Sequence, residues 1–463
     1  MKNRHNIVFA VFLTLFSCSK FDEDINRNPN LPSQASGTQL IANAELYLPG
    51  LSSSPKGEFM GQYLAETQYV GQSLYPNEST SFYGDYQGPL MNLQTVLTSE
   101  SLSGAQGPIP NQIAVAKILK AYFFWNLTDR FGDIPYSEAL MGSENFKPKY
   151  DAQADIYNSL FAELKEANSM MVNGDISDDI MFGGDMDKWK KFANSMRMIM
   201  ALRLSEVDPT KGQSEFAAAM SDGVMSSNSD SFIFQHLENA NNQSYWYGQV
   251  INQNREWWAL TENLVNYLKG TNDPRLMVFG SPARSDGEYR GLKFGEEQNI
   301  GTEEFSLLSS NIVKQDLAVP LLTYAQVLFA EAEAAARGWT NGADAESLYN
   351  SAIENSWLQW TGGNEGLDTF LSNEEIAFDE SKALEQIGNQ RWVHLFMFGY
   401  EAWSEWRRTG FPNNFVQPNG VEVPTRLAYP DNENFNNEAN FKEAVDRQFN
   451  GEDSVYGKVW WDK

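Results

Sequence analysis

Apolar residues in this chain recur most regularly at three- and four-residue intervals, the spacing of a helix with one face in a protein interior. Val115, Ile118, Leu119, Tyr122 and Phe123 form such a face. A second helix is predicted to follow Asp151 and run to about Val172. Asp187 is placed to cap a third, whose stripe of Trp189, Phe192, Ala193, Met196 and Met200 ends before Pro209. Leu321, Tyr324, Ala325, Leu328 and Ala332 make another stripe, and Gly338 to Gly342 turn the chain into a partner helix through Trp357. This last pair is alanine-rich and close in length to a tetratricopeptide unit. Strand patterns are few: residues 276–279 and 288–294 flank an Asp286-Gly287 turn, and Asn419-Gly420 sits between short valine-bearing runs. The segments 66–90, 223–258 and 361–380 are long and rich in Asn, Gly, Ser and aromatics, and long loops in a compact domain commonly carry function. The pattern predicts a mainly α fold with small β-hairpins and a loop-rich face.

The start of the chain follows a different pattern. Lys2 and Arg4 precede an apolar run over residues 7–16, then Ser17 and Cys18. The run is too short to span a bilayer and reads as a secretory signal. Cys18 is the only cysteine in 463 residues, so it has no disulfide partner within the chain. A thiol at this boundary is where a bacterial lipoprotein is cut and lipidated. The expected organisation is a signal peptide at 1–17, a lipidated flexible tether at 18–37, and a single domain over 38–463. The tether carries Asp22, Glu23 and Asp24 ahead of Asn, Pro, Ser and Gly residues.

Charge narrows the partners. The formal net charge is −27, and removing residues 1–17 takes away Lys2 and Arg4 but no acid, giving −29. Such a surface repels nucleic acid and anionic headgroups, so membrane attachment would come through the N-terminal lipid only. A hydrophobic content of 42 %, with 13 % aromatics, suffices for a packed core. With one cysteine and three histidines, no metal or other cofactor is expected. Asp175, Ser177 and Asp179 alternate as in an EF-hand, but Ile180 stands where that loop needs glycine and Met186 where it needs glutamate, which excludes the hand and leaves an irregular calcium site open. Any two of 61 acids could be proposed as a glycosidase pair, so that signal has no specificity. A nucleophilic triad would need His236 or His394, and His394 falls on an apolar helical face, where a core role is expected. The expectation is a protein that is not an enzyme.

Four segments together carry a resemblance. They are AKILKAYFFWNLTDRFGDIPY (116–136), WKKFANSMRMIMALR (189–203), YAQVLFAEAEAAARG (324–338) and QRWVHLFMFGYEAWSEWRRTG (390–410), the last followed by PTRLAYP (424–430). With Cys18 ahead of them and VWWDK at the end, the set resembles the SusD/RagB family of outer-membrane nutrient-binding lipoproteins. The resemblance implies a helical fold whose tetratricopeptide-like pairs form one side, opposite a loop-rich ligand face. It also implies a lipid-anchored position on the cell surface, over a SusC-type TonB-dependent transporter that receives captured oligosaccharide. The acidic cluster after Cys18 is similar to the surface-export signal of such lipoproteins. The four segments read as scaffold, with Arg407 and Arg408 expected to pair with Glu401 and Glu405 inside the fold.

Binding a sugar requires exposed aromatic planes for its C–H face and amides or charges for its hydroxyls. The best local match is NNQSYWYGQVINQNREWW (241–258), which sets Tyr245, Trp246, Tyr247, Trp257 and Trp258 among amides, with Arg255 and Glu256. A second is the segment 75–86 with Tyr83, and a third is Trp357 with Trp360. The candidate ligand residues are therefore Trp246, Trp257, Trp258, Tyr83, Trp357 and Arg255. The reading is capture of a neutral oligo- or polysaccharide. The rivals are a surface glycoside hydrolase or lyase, and a capture protein of the same fold for peptide or another nutrient.

Overall fold

The computed structural model describes residues 35–340 and 342–463. Cys18 and the expected leader lie outside the described residues. The longer helices are α1 (Gly37–Glu45), α2 (Met91–Thr98), α3 (Ile109–Phe131), α4 (Gln153–Met170), α5 (Met186–Arg203), α6 (Pro209–Asp222), α7 (Glu262–Gly270), α8 (Tyr324–Ala336), α9 (Ala345–Thr361), α10 (Ala383–His394), α11 (Gly399–Thr409) and α12 (Glu438–Phe449). The stripes read from the sequence become buried faces, except that Leu321 falls in the strand Ala318–Leu322 and Tyr324 is half-buried. Successive helices pack as hairpins, α3 on α4, α5 on α6, α8 on α9 and α10 on α11. The hairpins then stack, with α4 against α5, α5 against α8 and α8 against α10, in the manner of tetratricopeptide repeats.

Local chemistry fixes the ends. The cap of α5 is Asp185, two residues before the one expected, and its side chain accepts from the backbone N–H of Asp187 and Lys188. Thr323 and Gln326 form a capping box at the start of α8. Helix α3 stops at Gly132, whose φ of +86° favours glycine. A Cβ there would also come 2.3 Å from Gln448 Oε1.

Strands are β1 (Leu64–Glu66), β2 (Ile134–Pro135), β3 (Tyr150–Asp151), β4 (Phe232–Gln235), β5 (Trp258–Leu260) and β6 (Ala318–Leu322). They pair antiparallel as β1–β5, β2–β3 and β4–β6. The two hairpins expected from turn dipeptides do not form. Arg275–Phe279 is a short helix that buries Leu276 and Phe279, and Asn419-Gly420 lies in a single 3-10 turn. The turn residues bend the chain as expected, but the flanking runs find partners elsewhere: Leu292 N–H, for example, donates to Leu260 O.

A buried cluster of opposite charges ties the hairpins together. Arg203 of α5 bonds Asp129 of α3 at 3.1 Å, Glu401 of α11 at 2.6 Å, and Glu405. Glu405 also pairs with Arg391 of α10 and with Arg408. Glu333 of α8 takes Arg408 at 2.6 Å, Arg391 at 2.8 Å and Arg337 at 2.8 Å. Burial alone would push the Glu405 carboxyl up, but Arg408, Arg391 and Arg203 outweigh it and hold the group well below the usual carboxylate range. The expected pairing of Arg407 is corrected: its guanidinium donates to the carbonyls of Asp129 and Thr425 and to Ser404 Oγ, and lies 3.8 Å from the Trp403 ring centroid. It can do so because α11 turns Arg407 toward Trp403 and Trp461, away from Glu401.

Gly399 opens α11 where it crosses the short helix Pro55–Met60, and a Cβ there would sit 2.1 Å from Gly57 O. Glu58 on that short helix accepts from Gly399 N–H at 2.9 Å and is otherwise enclosed. Burial pushes its carboxyl from 4.5 up to about 8, against the lowering effect of the Gly399 and Met397 amides. The folded protein thus holds a proton that the unfolded chain releases near pH 4.5. Stability from this group is fully present below pH 4.5 and is lost as pH rises toward 8. Glu58→Gln, which mimics the protonated form, should remove about 3–5 kcal/mol of pH dependence over that window, measured by urea unfolding at several pH values. Unchanged pH dependence in the variant would assign the slope to other groups.

Candidate functional site

Three segments distant in sequence meet at the end of the β1–β5 pair. The register sets Leu64 against Leu260, Ala65 against Ala259 and Glu66 against Trp258. One step further, Thr67 N–H donates to Trp257 O at 2.8 Å, and Thr67 Oγ1 donates to the same oxygen at 3.0 Å. Thr67 O in turn accepts from Ile300 N–H at 2.8 Å, and Tyr69 N–H donates to Asn299 Oδ1 at 3.0 Å. Glu66 closes the base of the loop by accepting from Ser73 N–H, and burial raises its carboxyl to about 7 despite the Ser73 and Gln72 amides.

This lattice presents two aromatic rings to solvent. Tyr69, at φ +60°, is 69 % exposed, and Trp257 is half-buried beside it. Their centroids lie 5.1 Å apart at 62°, so the rings meet edge to face and form an angled aromatic surface. The Arg255 guanidinium lies 5.6 Å from the Trp257 centroid and donates to Gln249 Oε1 at 2.6 Å. The exposed amides Gln68, Gln253, Asn254, Gln298 and Asn299 belong to the same three segments. Arg284 does not make the patch basic, because Glu256 holds it at 2.7 Å and Glu303 at 3.5 Å.

The structure distributes the sequence candidates unequally. Trp257 and Arg255 come together at this surface. Trp246 and Trp258 do not line it: they are 1 % and 5 % exposed, and pack edge to face at 5.4 Å. Ser244 caps the one-turn helix Tyr245–Tyr247, which buries Trp246, and Trp258 opens β5 with its ring 5.2 Å from that of Trp257. Both tryptophans support the ring they were expected to accompany. Trp357 is likewise corrected to core, packed 4.9 Å from Phe370 in the cluster between α8 and α9. Trp360, three residues on, is half-buried and reaches a surface hollow.

Tyr83 lies apart from Trp257, in a cleft of about 500 Å³ bordered by residues 139–148 and 433–437. Its hydroxyl donates to Glu433 Oε1, and Tyr150 donates to Oε2 of the same carboxylate. Burial, with the Glu433 hydrogen bond and charge, raises the Tyr83 hydroxyl above its ordinary value. Tyr69 and Asn299 were not singled out from the sequence. Finding them needed the pairing of residues 64–66 with 258–260, which no local pattern announces.

His394, His236 and Asp179 are committed to structural contacts. His394 is enclosed between Thr323 Oγ1 at 2.7 Å and Ser356 Oγ at 3.0 Å, and burial, aided by Arg275 and Arg391, lowers it to about 3. It is a neutral core histidine. His236 Nδ1 lies 2.9 Å from Asn242 O. Asp179 accepts from the amides of Met181 and Gly184 and from Trp189 Nε1, which occupies the carboxylate a calcium loop would need. Among the described residues no group of three or more His, Cys, Asp or Glu side chains is arranged to hold a metal ion.

Comparison with known proteins agrees with this architecture. A chitin-binding protein of known structure shares 29 % identity at a TM-score of 0.81, over 92 % of this chain and 100 % of its own. A SusD homologue from Bacteroides fragilis shares 26 % identity at 0.81, over 93 % and 100 %. A SusD-like protein from Bacteroidetes shares 26 % identity at 0.78, over 93 % and 100 %. No curated protein sequence matches the chain. The family model described as "Starch-binding associating with outer membrane" matches residues 29–430, which with these helix pairs and the four scaffold segments places the chain in the SusD-like family.

Proposed function

We propose that this protein captures a neutral oligo- or polysaccharide at the cell surface and passes it unchanged to a SusC-type TonB-dependent transporter. The observation that carries the reading is the Tyr69–Trp257 pair. Two aromatic planes held by backbone hydrogen bonds, beside amides and one arginine, match the alternating C–H faces and hydroxyl rims of a sugar chain. The similarity to a chitin-binding protein and the starch-binding description of the family support a glycan of this kind. Charge supports a neutral one. The chain carries −27 overall, Arg284 is matched by two glutamates, and Glu296 and Glu297 lie just before Asn299. In the same reading Cys18 is the lipidated anchor, residues 1–17 are the signal, and residues up to 37 are the tether.

Calorimetry of the protein lacking residues 1–17, with Cys18 replaced by serine, tests the proposal with chito-oligosaccharides and malto-oligosaccharides in parallel. Binding is expected in at least one series. Its affinity should change less than about threefold between low and physiological salt, since a neutral ligand has no long-range Coulomb attraction to screen. A steep fall with salt would replace the neutral ligand by a polyanionic one. Release of new reducing ends during incubation would replace capture by hydrolysis.

A further inference from the structure

A second surface feature has the chemistry of the first. Trp360, near the end of α9, is fixed on its inner side by Phe279, 4.9 Å away at 83°, and by donation from Nε1 to His394 O at 3.1 Å. Its remaining surface borders a hollow of about 410 Å³. Asn311, Lys314 and Asp316 form much of the rim, one cation and one anion among them, so the hollow carries no strong charge of either sign. Gln359 also lines it, and its Oε1 is buried with no hydrogen-bond donor. A buried carbonyl oxygen without a donor is costly, and a ligand hydroxyl entering the hollow would satisfy it.

One strip of backbone borders both the recess beside Arg255 and the Trp360 hollow. Ala259, next to Trp258 in β5, forms an antiparallel bridge with Leu307. Leu307 and Leu308 border the small recess formed with Arg255, Glu256 and Arg284. Asn311 and Ile312, a few residues further on, border the Trp360 hollow. Four residues of chain extend at most about 14 Å. The Arg255 recess and the Trp360 hollow are therefore neighbours.

We propose that the Trp360 hollow is a second glycan subsite, engaging sugar residues beyond those held on Tyr69 and Trp257, so that long chains bind more tightly than short ones. The inference rests on the reading of the Tyr69–Trp257 surface as a glycan site.

The test is calorimetry of four proteins with chitobiose and chitohexaose, and with maltose and maltoheptaose. The proteins are the wild type, Trp257→Ala, Trp360→Ala and Asn311→Trp. The last fills the hollow without removing a packed ring, so it stands in should Trp360→Ala fold poorly. In the series that binds, the wild type should prefer the long oligomer. Trp360→Ala and Asn311→Trp should leave the short oligomer unchanged and weaken the long one about five- to tenfold, the worth of one stacked ring. Trp257→Ala should weaken both lengths. Equal affinity of Asn311→Trp and wild type for the long oligomer would overturn the subsite while leaving the Tyr69–Trp257 reading intact. Equal loss at both lengths in Asn311→Trp would also overturn it, by making the hollow part of the primary site. If Trp257→Ala changes no affinity, the primary reading falls, and the subsite as an extension of it falls too.

Discussion

Glu405→Ala is expected to yield a protein that does not fold, or one destabilised by about 3–5 kcal/mol, the cost of leaving buried charges without their partner. Three guanidinium groups, those of Arg203, Arg391 and Arg408, converge on this one carboxylate away from water. Removing it leaves them to share Glu333, Glu401 and Asp129, and Glu333 is already engaged by the half-buried Arg337. A domain with a typical margin of about 5–15 kcal/mol has little room for that loss. Urea unfolding followed by circular dichroism measures it. Glu438→Ala, which breaks the exposed Glu438–Lys442 pair, is the control and should leave the unfolding midpoint nearly unchanged. A Glu405→Ala midpoint as close to wild type as that of the control would show that the cluster holds nothing together.

Tyr69→Ala combined with Trp257→Ala should reduce glycan affinity by about a hundredfold or more while leaving the melting temperature nearly unchanged. Each ring would offer a sugar roughly 1–2 kcal/mol of stacking and area burial, and two such losses remove most of the affinity of a shallow site. Tyr69 is largely exposed, and the bonds that place Trp257 run through its backbone carbonyl, so truncating the side chains leaves the β1–β5 pair in place. Calorimetry and thermal melts of the same preparations decide the matter. Full retention of binding would move the site elsewhere. A fall in melting temperature as large as a core truncation gives, about 3–5 kcal/mol, would make Trp257 a packing residue like Trp258.

The scaffold was legible in the sequence because helix pairs rest on local periodicity. The stripe from Val115 to Phe123 and the turn at Gly338 announce a buried face and a hairpin within a short window. The candidate site was only half legible. The run 241–258 pointed to Trp257 and Arg255, which the fold leaves at the surface, but composition cannot say which of two adjacent tryptophans stays accessible. That depends on the register of β5 against a strand nearly two hundred residues away. Tyr69 lay just outside the aromatic window 75–86, whose own Tyr75 and Phe82 are core. Trp357 was misread for a related reason: the helix rotation that hides it and shows Trp360 is set by α8 and by the short helix Leu367–Leu371 that bears Phe370. The missing hairpins have the same origin, since a turn dipeptide fixes a bend and leaves open what the flanking residues pair with.

In an ordinary array of helix pairs, each unit touches only its neighbours, and the ends can fray without disturbing the middle. Here one buried cluster draws side chains from α3, α5, α8, α10 and α11, and the C-terminal Trp461 Nε1 donates to Asp129 in the same cluster. Losing any one pair would expose charges belonging to all the others. The array should therefore melt as one cooperative unit, with fluorescence and circular dichroism giving the same transition, and deleting the last five residues should lower that single transition as a whole.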